Sequence, residues 1–225
     1  MPGLNLALPR AALIDWDNTL VDSFPVIHRA LNDTFAAFGM PPWSFEETCR
    51  RIALSMRDSF PARFGARWRE ASEVFYAHYA ARHLDGIWPL PGAEALLDEL
   101  SAAGTHLGVV SNKNGDYLRD EVRHLGWGRY FAAIVGAGDA EADKPAPAVV
   151  DFALAGSGIA PGREVWFVGD NAVDVACAER SGCVAIVVAG AVATGEVSTS
   201  AAARFAGLGE LAAAVRRLRR ASRGG

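Results

Sequence analysis

The chain has 225 residues, of which 51% are hydrophobic, so it can bury a sizeable core and is not an intrinsically disordered protein. Its net charge is −4 although five arginines fall in the last ten residues, so the rest is acidic and nucleic-acid binding is not expected. Three cysteines without a Cys-x-x-Cys spacing favour neither a disulfide framework nor a zinc site. With no apolar run of membrane-spanning length and no export-like N-terminus, we expect a cytoplasmic protein without a membrane partner.

Short apolar runs bounded by turn residues predict buried strands along the chain. They cover residues 11–15, 105–111, 131–136, 164–170 and 183–188. Helical patterns lie between the later runs, for example the one that carries Leu96 and Leu100 and stops at Gly104. This alternation predicts an α/β fold, in which a parallel sheet has helices on both faces.

Residues 24–88 interrupt the alternation with successive helical patterns. Ser44 followed by Glu47 is a capping-box signature, and apolar residues recur every three or four positions on both sides of it. We therefore expect a small helical domain inserted after the first strand. The predicted organisation is a core formed by residues 1–22 and 90–225 and a helical domain formed by residues 23–89.

Polar residues follow the predicted strands at the points where the strands end. Taken alone, each of these residues could be no more than a helix cap, a turn former or a solvated charge. Because the carboxyl ends of parallel strands meet at one edge of a sheet, we expect these side chains to converge there. They are Asp15, Asp17, Ser111, Asn112, Lys144, Asp170 and Asp174.

The residue types in this set indicate phosphoryl chemistry. Several carboxylates in one crevice raise each other's pKa unless a cation lies among them, and Mg²⁺ is the divalent ion that prefers such oxygen ligands. A lysine and a serine hydroxyl beside them suit the oxygens of a phosphoryl group. Asp15 is then placed to attack phosphorus, and Asp17 is placed to transfer the proton.

Four motifs in order resemble the haloacid dehalogenase superfamily, in its phosphatase branch. They are DWDNT (15–19), VVSN (109–112), Lys144 in DKPAP, and GDNAVD (169–174). The helical insert resembles the α-helical cap of the phosphoglycolate phosphatase and β-phosphoglucomutase type, and the resemblance implies a Rossmann-like core beneath it. Asn18 departs from the family's usual glycine, but Asn tolerates a left-handed backbone.

The resemblance implies a role for each motif residue. Asp15 would become an aspartyl-phosphate, and Asp17 would protonate the leaving alcohol and then activate water. Mg²⁺ would be held by the Asp15 side chain, the Asp17 backbone carbonyl and Asp170, with Asp174 in or just outside the coordination sphere. Ser111 and Lys144 would bind the transferring phosphoryl oxygens, and Asn112 is a further candidate substrate-binding residue.

The expected function is Mg²⁺-dependent hydrolysis of a small phosphomonoester, such as a phosphoglycolate-like metabolite. A phosphosugar mutase of the β-phosphoglucomutase type remains an alternative, as does a receiver-like or catalytically silent phosphoryl-binding module. Asp17 disfavours a dehalogenase, and the lack of lysine in residues 23–89 disfavours Schiff-base phosphonate cleavage. Arg57 is a candidate partner for the substrate's non-reacting end, and the sequence leaves the oligomeric state open.

Overall fold

The computed structural model describes residues 6–52, 54–192 and 201–222, and its centre is a six-stranded parallel sheet. In chain order the strands are β1 (Ala11–Ile14), β2 (Val21–Asp22), β3 (Trp88–Pro89), β4 (His106–Asn114), β5 (Ala133–Ala137), β6 (Val165–Gly169), β7 (Val184–Val188) and β8 (Ala203–Phe205). The sheet order is β5-β4-β1-β6-β7-β8, so β1 lies inside the sheet between β4 and β6. The predicted α/β class is confirmed.

The helices after β3 cover both faces of this sheet, and the helices between β2 and β3 form a separate helical region. In chain order the helices are α1 (Phe24–Ala37), α2 (Phe45–Arg51), α3 (Met56–Phe64), α4 (Trp68–Ala80), α5 (His83–Gly86), α6 (Ala93–Ala102), α7 (Gly115–His124), α8 (Ala148–Leu154), α9 (Ala172–Arg180) and α10 (Leu208–Ala221). None of the helices in the described ranges combines the length and the apolarity needed to cross a bilayer.

Alternation along β1 supplies both hydrophobic layers of the sheet. Ala12 and Ile14 pack in the layer that includes side chains of α6, α7 and α10. Ala11 and Leu13 point the other way, into the layer with α8 and α9. Because β1 is buried on both faces, its last residues deliver the following loop to the middle of the sheet edge.

Helices α1 to α4 share a hydrophobic cluster of their own. The predicted stripe of α1 is buried, and the predicted capping box of α2 is confirmed: Ser44 Oγ accepts from the Glu47 backbone N–H at 3.1 Å, and Glu47 Oε2 accepts from that of Ser44 at 3.3 Å. The chain leaves and rejoins the sheet through a two-stranded antiparallel ribbon that pairs β2 with β3. The two connections therefore run side by side.

Two features of the sheet were not predicted. Strand β4 continues to Asn114 with an irregular register after Val110, and β8 adds a sixth strand. Three residues of sequence ARF next to an alanine-rich stretch carry no strand pattern, so β8 is specified by pairing with β7 rather than by local sequence. Most of that stretch, residues 193–200, lies outside the described residues.

Candidate active site

A tight loop after β1 carries the first two candidate carboxylates. The Trp16 carbonyl accepts backbone hydrogen bonds from residues 19, 20 and 21, and the Asn18 N–H donates to the Val21 carbonyl at 2.8 Å. Asn18 has φ +61°, so the predicted left-handed backbone at this position is confirmed. Asp15 is 7% exposed at the end of the central strand, and Asp17 lies two residues further into the loop.

Lys144 joins two separate chain segments at this edge of the sheet. Its buried ammonium donates to Asp15 Oδ1 at 2.6 Å and to Asp174 Oδ1 at 2.8 Å. The other Asp174 oxygen accepts the Asn171 backbone N–H at 3.1 Å and so caps α9. Both Asp174 oxygens therefore have fixed donors.

Asp170 is held by the loop after β1. Asn18 Nδ2 donates to Asp170 Oδ2 at 2.6 Å. Thr19 Oγ1 lies 2.9 Å from Asp170 Oδ1 and 3.2 Å from Asp15 Oδ2, so its single proton can bond to either carboxylate. The same Asn18 side chain also pairs with the backbone of Val192, which ties the segment after β7 to the site.

The pKa values of two carboxyl groups in this cluster, Asp15 and Asp174, are raised. Burial raises the pKa of Asp15 to about 7; the Lys144 charge opposes the shift, and the charges of Asp174 and Asp17 add to it. Burial also raises the pKa of Asp174, against the opposing charge of Lys144. One lysine does not compensate the crowded negative charge, and a bound cation would.

Asp15, Asp170 and Asp174 form a set that fits a hard divalent cation. Each is buried and offers a carboxylate oxygen, and these oxygens lie within 4.8 Å of one another. An all-oxygen donor set of this kind suits Mg²⁺.

Ser111 and Asn112 end the regular part of β4 beside this cluster. Ser111 is buried, and its Oγ accepts the Lys113 backbone N–H at 3.2 Å. The Asn112 side chain makes two hydrogen bonds with the Lys144 backbone, accepting its N–H at 2.9 Å and donating to its carbonyl at 3.1 Å. Asn112 thus fixes the segment that carries Lys144.

Asp17 is held through one of its two oxygens. Asp17 Oδ1 accepts a short hydrogen bond from the Ser23 hydroxyl and lies 2.6 Å from Lys113 Nζ. Ser23, at the start of α1, makes no cap hydrogen bond with its side chain, so its hydroxyl serves Asp17 instead. Its burial at 0% exposure fits that assignment.

A cavity of about 150 Å³ lies between these residues and the helices of the insert. Asp15, Asp17, Ser111, Lys144 and Asp170 line it on the side of the sheet. On the side of the insert its walls include the aromatic residues Phe24, Trp43, Phe60, Phe75, Tyr76 and Tyr79.

The candidate substrate residue Arg57 lies beside the site rather than on the cavity wall. Its guanidinium pairs with the buried carboxylate of Asp143, the neighbour of Lys144, at 2.8 Å. Two other arginines of the insert, Arg51 and Arg63, line the cavity and lie over the Trp43 ring.

Sequence reasoning missed Lys113 and Glu121. Lys113 directly follows the second motif and pairs with both Asp17 and Glu121. Burial opposes ionisation of Glu121, yet the Lys113 charge and hydrogen bonds from His83 and Tyr79 bring its pKa down to about 2. The available signal was the position of Glu121 on the apolar stripe of α7, three residues after Leu118, where a charged side chain needs buried partners.

Comparison with protein families and known proteins gives a consistent result. A family model described as haloacid dehalogenase-like hydrolase matches residues 12–188. Phosphoglycolate phosphatase of Rhodospirillum rubrum is 32% identical over 193 residues, covering 80% of this chain and 80% of the relative. Phosphoglycolate phosphatase 1 of Pseudomonas aeruginosa is 31% identical over 186 residues, covering 78% of this chain and 67% of the relative.

Solved structures share the fold. A hydrolase of the same superfamily from Ehrlichia chaffeensis superposes with a TM-score of 0.66 at 27% identity, covering 95% of this chain and 99% of the other. CbbY from Rhodobacter sphaeroides, solved in complex with phosphate, superposes with a TM-score of 0.78 at 23% identity, covering 90% and 96%. The α/β core with its helical insert is therefore an arrangement that these proteins have in common.

Proposed function

The chain belongs to the haloacid dehalogenase-like hydrolases, and we propose that it is a Mg²⁺-dependent phosphatase acting on a small phosphomonoester. The observation that carries this proposal is the buried cluster in which Lys144 bridges Asp15 and Asp174 beside Asp170. Curated relatives named phosphoglycolate phosphatase support the reaction class.

Asp15 is the proposed nucleophile, and Asp17 is the proposed general acid and base. An Asp15 oxygen bonds to phosphorus while the bond from phosphorus to the leaving oxygen breaks, and Asp17 gives that oxygen its proton. Asp17 then takes a proton from water as the water oxygen attacks phosphorus, which releases phosphate and restores the Asp15 carboxylate. Both carboxylates line the same cavity, as this sequence of steps requires.

The proposed Mg²⁺ ligands are the side chains of Asp15 and Asp170 and the backbone carbonyl of Asp17. Bound there, the ion would offset the negative charge shared by the nucleophile and the phosphoryl group. We propose that Asp174, whose oxygens accept from Lys144 Nζ and from the Asn171 backbone N–H, lies in or just outside the coordination sphere, as the family resemblance implies. The Asn18 and Thr19 side chains would hold Asp170 in its binding orientation.

Ser111 and Lys144 are the proposed ligands of the phosphoryl oxygens. A buried ammonium beside the nucleophile attracts the phosphoryl group and lowers the repulsion between it and the Asp15 carboxylate. Asn112, expected to bind substrate, has its side chain engaged with the Lys144 backbone. We therefore assign it to holding Lys144 in place.

We propose that residues 23–89 form a cap domain that closes over a core of residues 1–22 and 90–225. A separate hydrophobic cluster and the paired β2 and β3 connections support this division. The leaving group would lie in the cavity between the two parts, next to aromatic side chains of the insert and to Arg51 and Arg63. A phosphosugar mutase would use the same four motifs, and product analysis separates it from a phosphatase.

Phosphate release from phosphoglycolate and from p-nitrophenyl phosphate tests the proposal. We expect release that requires Mg²⁺ and that falls by at least a hundredfold in Asp15→Asn. Asp151→Asn, an exposed acid on α8, is the matched control and should retain full activity. An Asp15→Asn protein that is folded and as active as the parent would refute the assignment. With a phosphosugar as a third substrate, an isomerised product without free phosphate would favour the mutase.

A further inference from the structure

Lys113 has all three of its ammonium protons committed to named acceptors. Its Nζ lies 2.6 Å from Asp17 Oδ1, 2.6 Å from Glu121 Oε2 and 2.7 Å from Tyr79 Oη. The side chain is only 6% exposed. An ammonium group has three donors and no acceptor, so this arrangement leaves none of them for water or substrate.

Glu121 is equally saturated. Its carboxylate is fully buried, and Oε2 accepts from Trp16 Nε1 at 2.7 Å in addition to Lys113. The other oxygen accepts from Tyr79 Oη at 2.7 Å and lies 3.0 Å from His83 Nδ1. Trp16 belongs to the loop of the candidate nucleophile, whereas Tyr79 and His83 belong to helices of the insert. Glu121 is therefore the point where the loop, the sheet region and the insert meet.

The result at Asp17 is an asymmetric carboxylate. Oδ1 is occupied by the Ser23 hydroxyl and Lys113, whereas Oδ2 has no hydrogen-bond partner among the residues that the structure describes. Asp17 lines the cavity, so Oδ2 is the oxygen left for proton exchange. Two donors on one oxygen fix the rotation of the carboxylate, which is what a group that must reach two different reacting oxygens requires.

Fold stability alone does not account for this network. A buried ion pair loses so much hydration that apolar side chains of similar size are often equally stable or more stable in its place. What apolar side chains cannot supply is a directional hold on Asp17.

We propose that Lys113 and Glu121 are positioning residues that hold Asp17 for proton transfer, and that Tyr79 makes this hold depend on the docked insert. The inference rests on the proposed function, in which Asp17 gives a proton to the leaving oxygen and later takes one from water. Lys113 touches no reacting atom and acts through Asp17.

The test compares Lys113→Met, Glu121→Gln and the double variant with the parent. Asp120→Asn is the matched control because it removes a half-exposed charge one position away on α7. Melting temperature reports stability, and steady-state and rapid-mixing assays with phosphoglycolate and p-nitrophenyl phosphate report the reaction. The nitrophenolate leaves without a proton, so comparing the two substrates separates proton donation by Asp17 to the leaving oxygen from proton uptake by Asp17 from water.

We expect Lys113→Met to lower the melting temperature, because it leaves the Glu121 charge without its ammonium partner. The double variant should regain much of that loss, yet kcat should remain at least tenfold below the parent. With p-nitrophenyl phosphate, Lys113→Met and the double variant should both show a burst of nitrophenolate before a slow steady state, since hydrolysis of the phosphorylated Asp15 then limits turnover. Phosphoglycolate should lose more in the single-turnover step than the nitrophenyl ester.

Three outcomes would overturn the proposal. Recovery of kcat together with stability in the double variant would show a structural role only. A raised KM with unchanged kcat would show that Lys113 contacts substrate, and equal losses for both esters without a burst would exclude action through Asp17. If Lys113→Met does not fold, Tyr79→Phe provides the same comparison, because it removes one acceptor of Lys113 and keeps the ring. A parent that hydrolyses neither ester would instead refute the proposed function.

Discussion

The raised pKa of Asp15 makes the proposed Mg²⁺ binding depend on pH. Burial shifts this pKa from 3.8 to about 7 in the metal-free protein, so the folded state binds more protons than the unfolded state between those values. The free energy of unfolding of the metal-free protein should therefore decrease as pH rises from about 4 to about 7. A cation beside Asp15 must displace that proton below pH 7.

The size of the effect follows from this competition. At pH 5.5, about 1.5 units below the Asp15 pKa, displacement of one proton weakens apparent Mg²⁺ affinity about 30-fold relative to pH 8. Saturation at about 100 times the dissociation constant adds about 3 kcal/mol to the free energy of unfolding. For a chain of this size that corresponds to an increase in melting temperature of roughly 5 to 10 °C.

Thermal unfolding of chelator-treated protein with and without MgCl₂ measures this coupling. At pH 8 we expect this increase in melting temperature at about 100 times the dissociation constant, whereas the same Mg²⁺ concentration is only about three times the dissociation constant at pH 5.5 and should add about 1 kcal/mol, or roughly 2 to 4 °C. Asp170→Asn should remove most of the increase, whereas Asp151→Asn, which changes an exposed acid on α8, should leave it intact. An equal increase at the two pH values, or none at either, would refute the link between Asp15 ionisation and the cation.

Two further predictions concern specificity and the support of Asp170. Arg63→Ala, which removes a cavity-lining guanidinium, should raise KM for phosphoglycolate more than for p-nitrophenyl phosphate, and Arg57→Ala tests the originally expected position by the same comparison. Equal changes for both esters would exclude the altered arginine as a partner of the acidic group. Gly190→Ala should lower the free energy of unfolding by about 1 to 3 kcal/mol and weaken Mg²⁺ binding, because its Cβ would lie 2.2 Å from the Asn18 carbonyl oxygen. Gly209→Ala is its control in urea unfolding, since a Cβ there meets no atom within 4 Å; similar losses in both variants would contradict the steric argument.

The parallel sheet and the alternation of strands and helices along the chain could be predicted from the sequence, because two rules act locally. Buried parallel strands are short apolar runs, and the residue types at their carboxyl ends are visible without any tertiary information. Asp15 and Asp170 could thus be expected at one edge, and the structure brings them within reach of one ion. Strand β8 is not an apolar run and has no such polar residues at its end. Its pairing with β7, rather than its composition, specifies it.

Partners within the site were less accessible, because a buried charge reveals its need for a partner but not which partner it has. Arg57 illustrates the limit, because the sequence around it does not distinguish an arginine that faces a cleft from one that pairs with Asp143. Lys113 and Glu121 lie eight residues apart, on a strand end and on the helix after it. Only the packing of that helix against the insert brings the pair together with Tyr79.

The position of β1 explains why so many distant segments can serve one reaction. A strand inside the sheet has neighbours on both sides, so the loop after it receives Ser111 from β4 and Asp170 from β6. The same loop sends Trp16 inward to Glu121 and so reaches the helices of the insert. Support for the proposed proton-transferring group therefore comes from a different direction than the charges around the proposed nucleophile. Since the two sets of contacts share few residues, substitutions at Glu121 and at Asp170 should have nearly additive effects on stability.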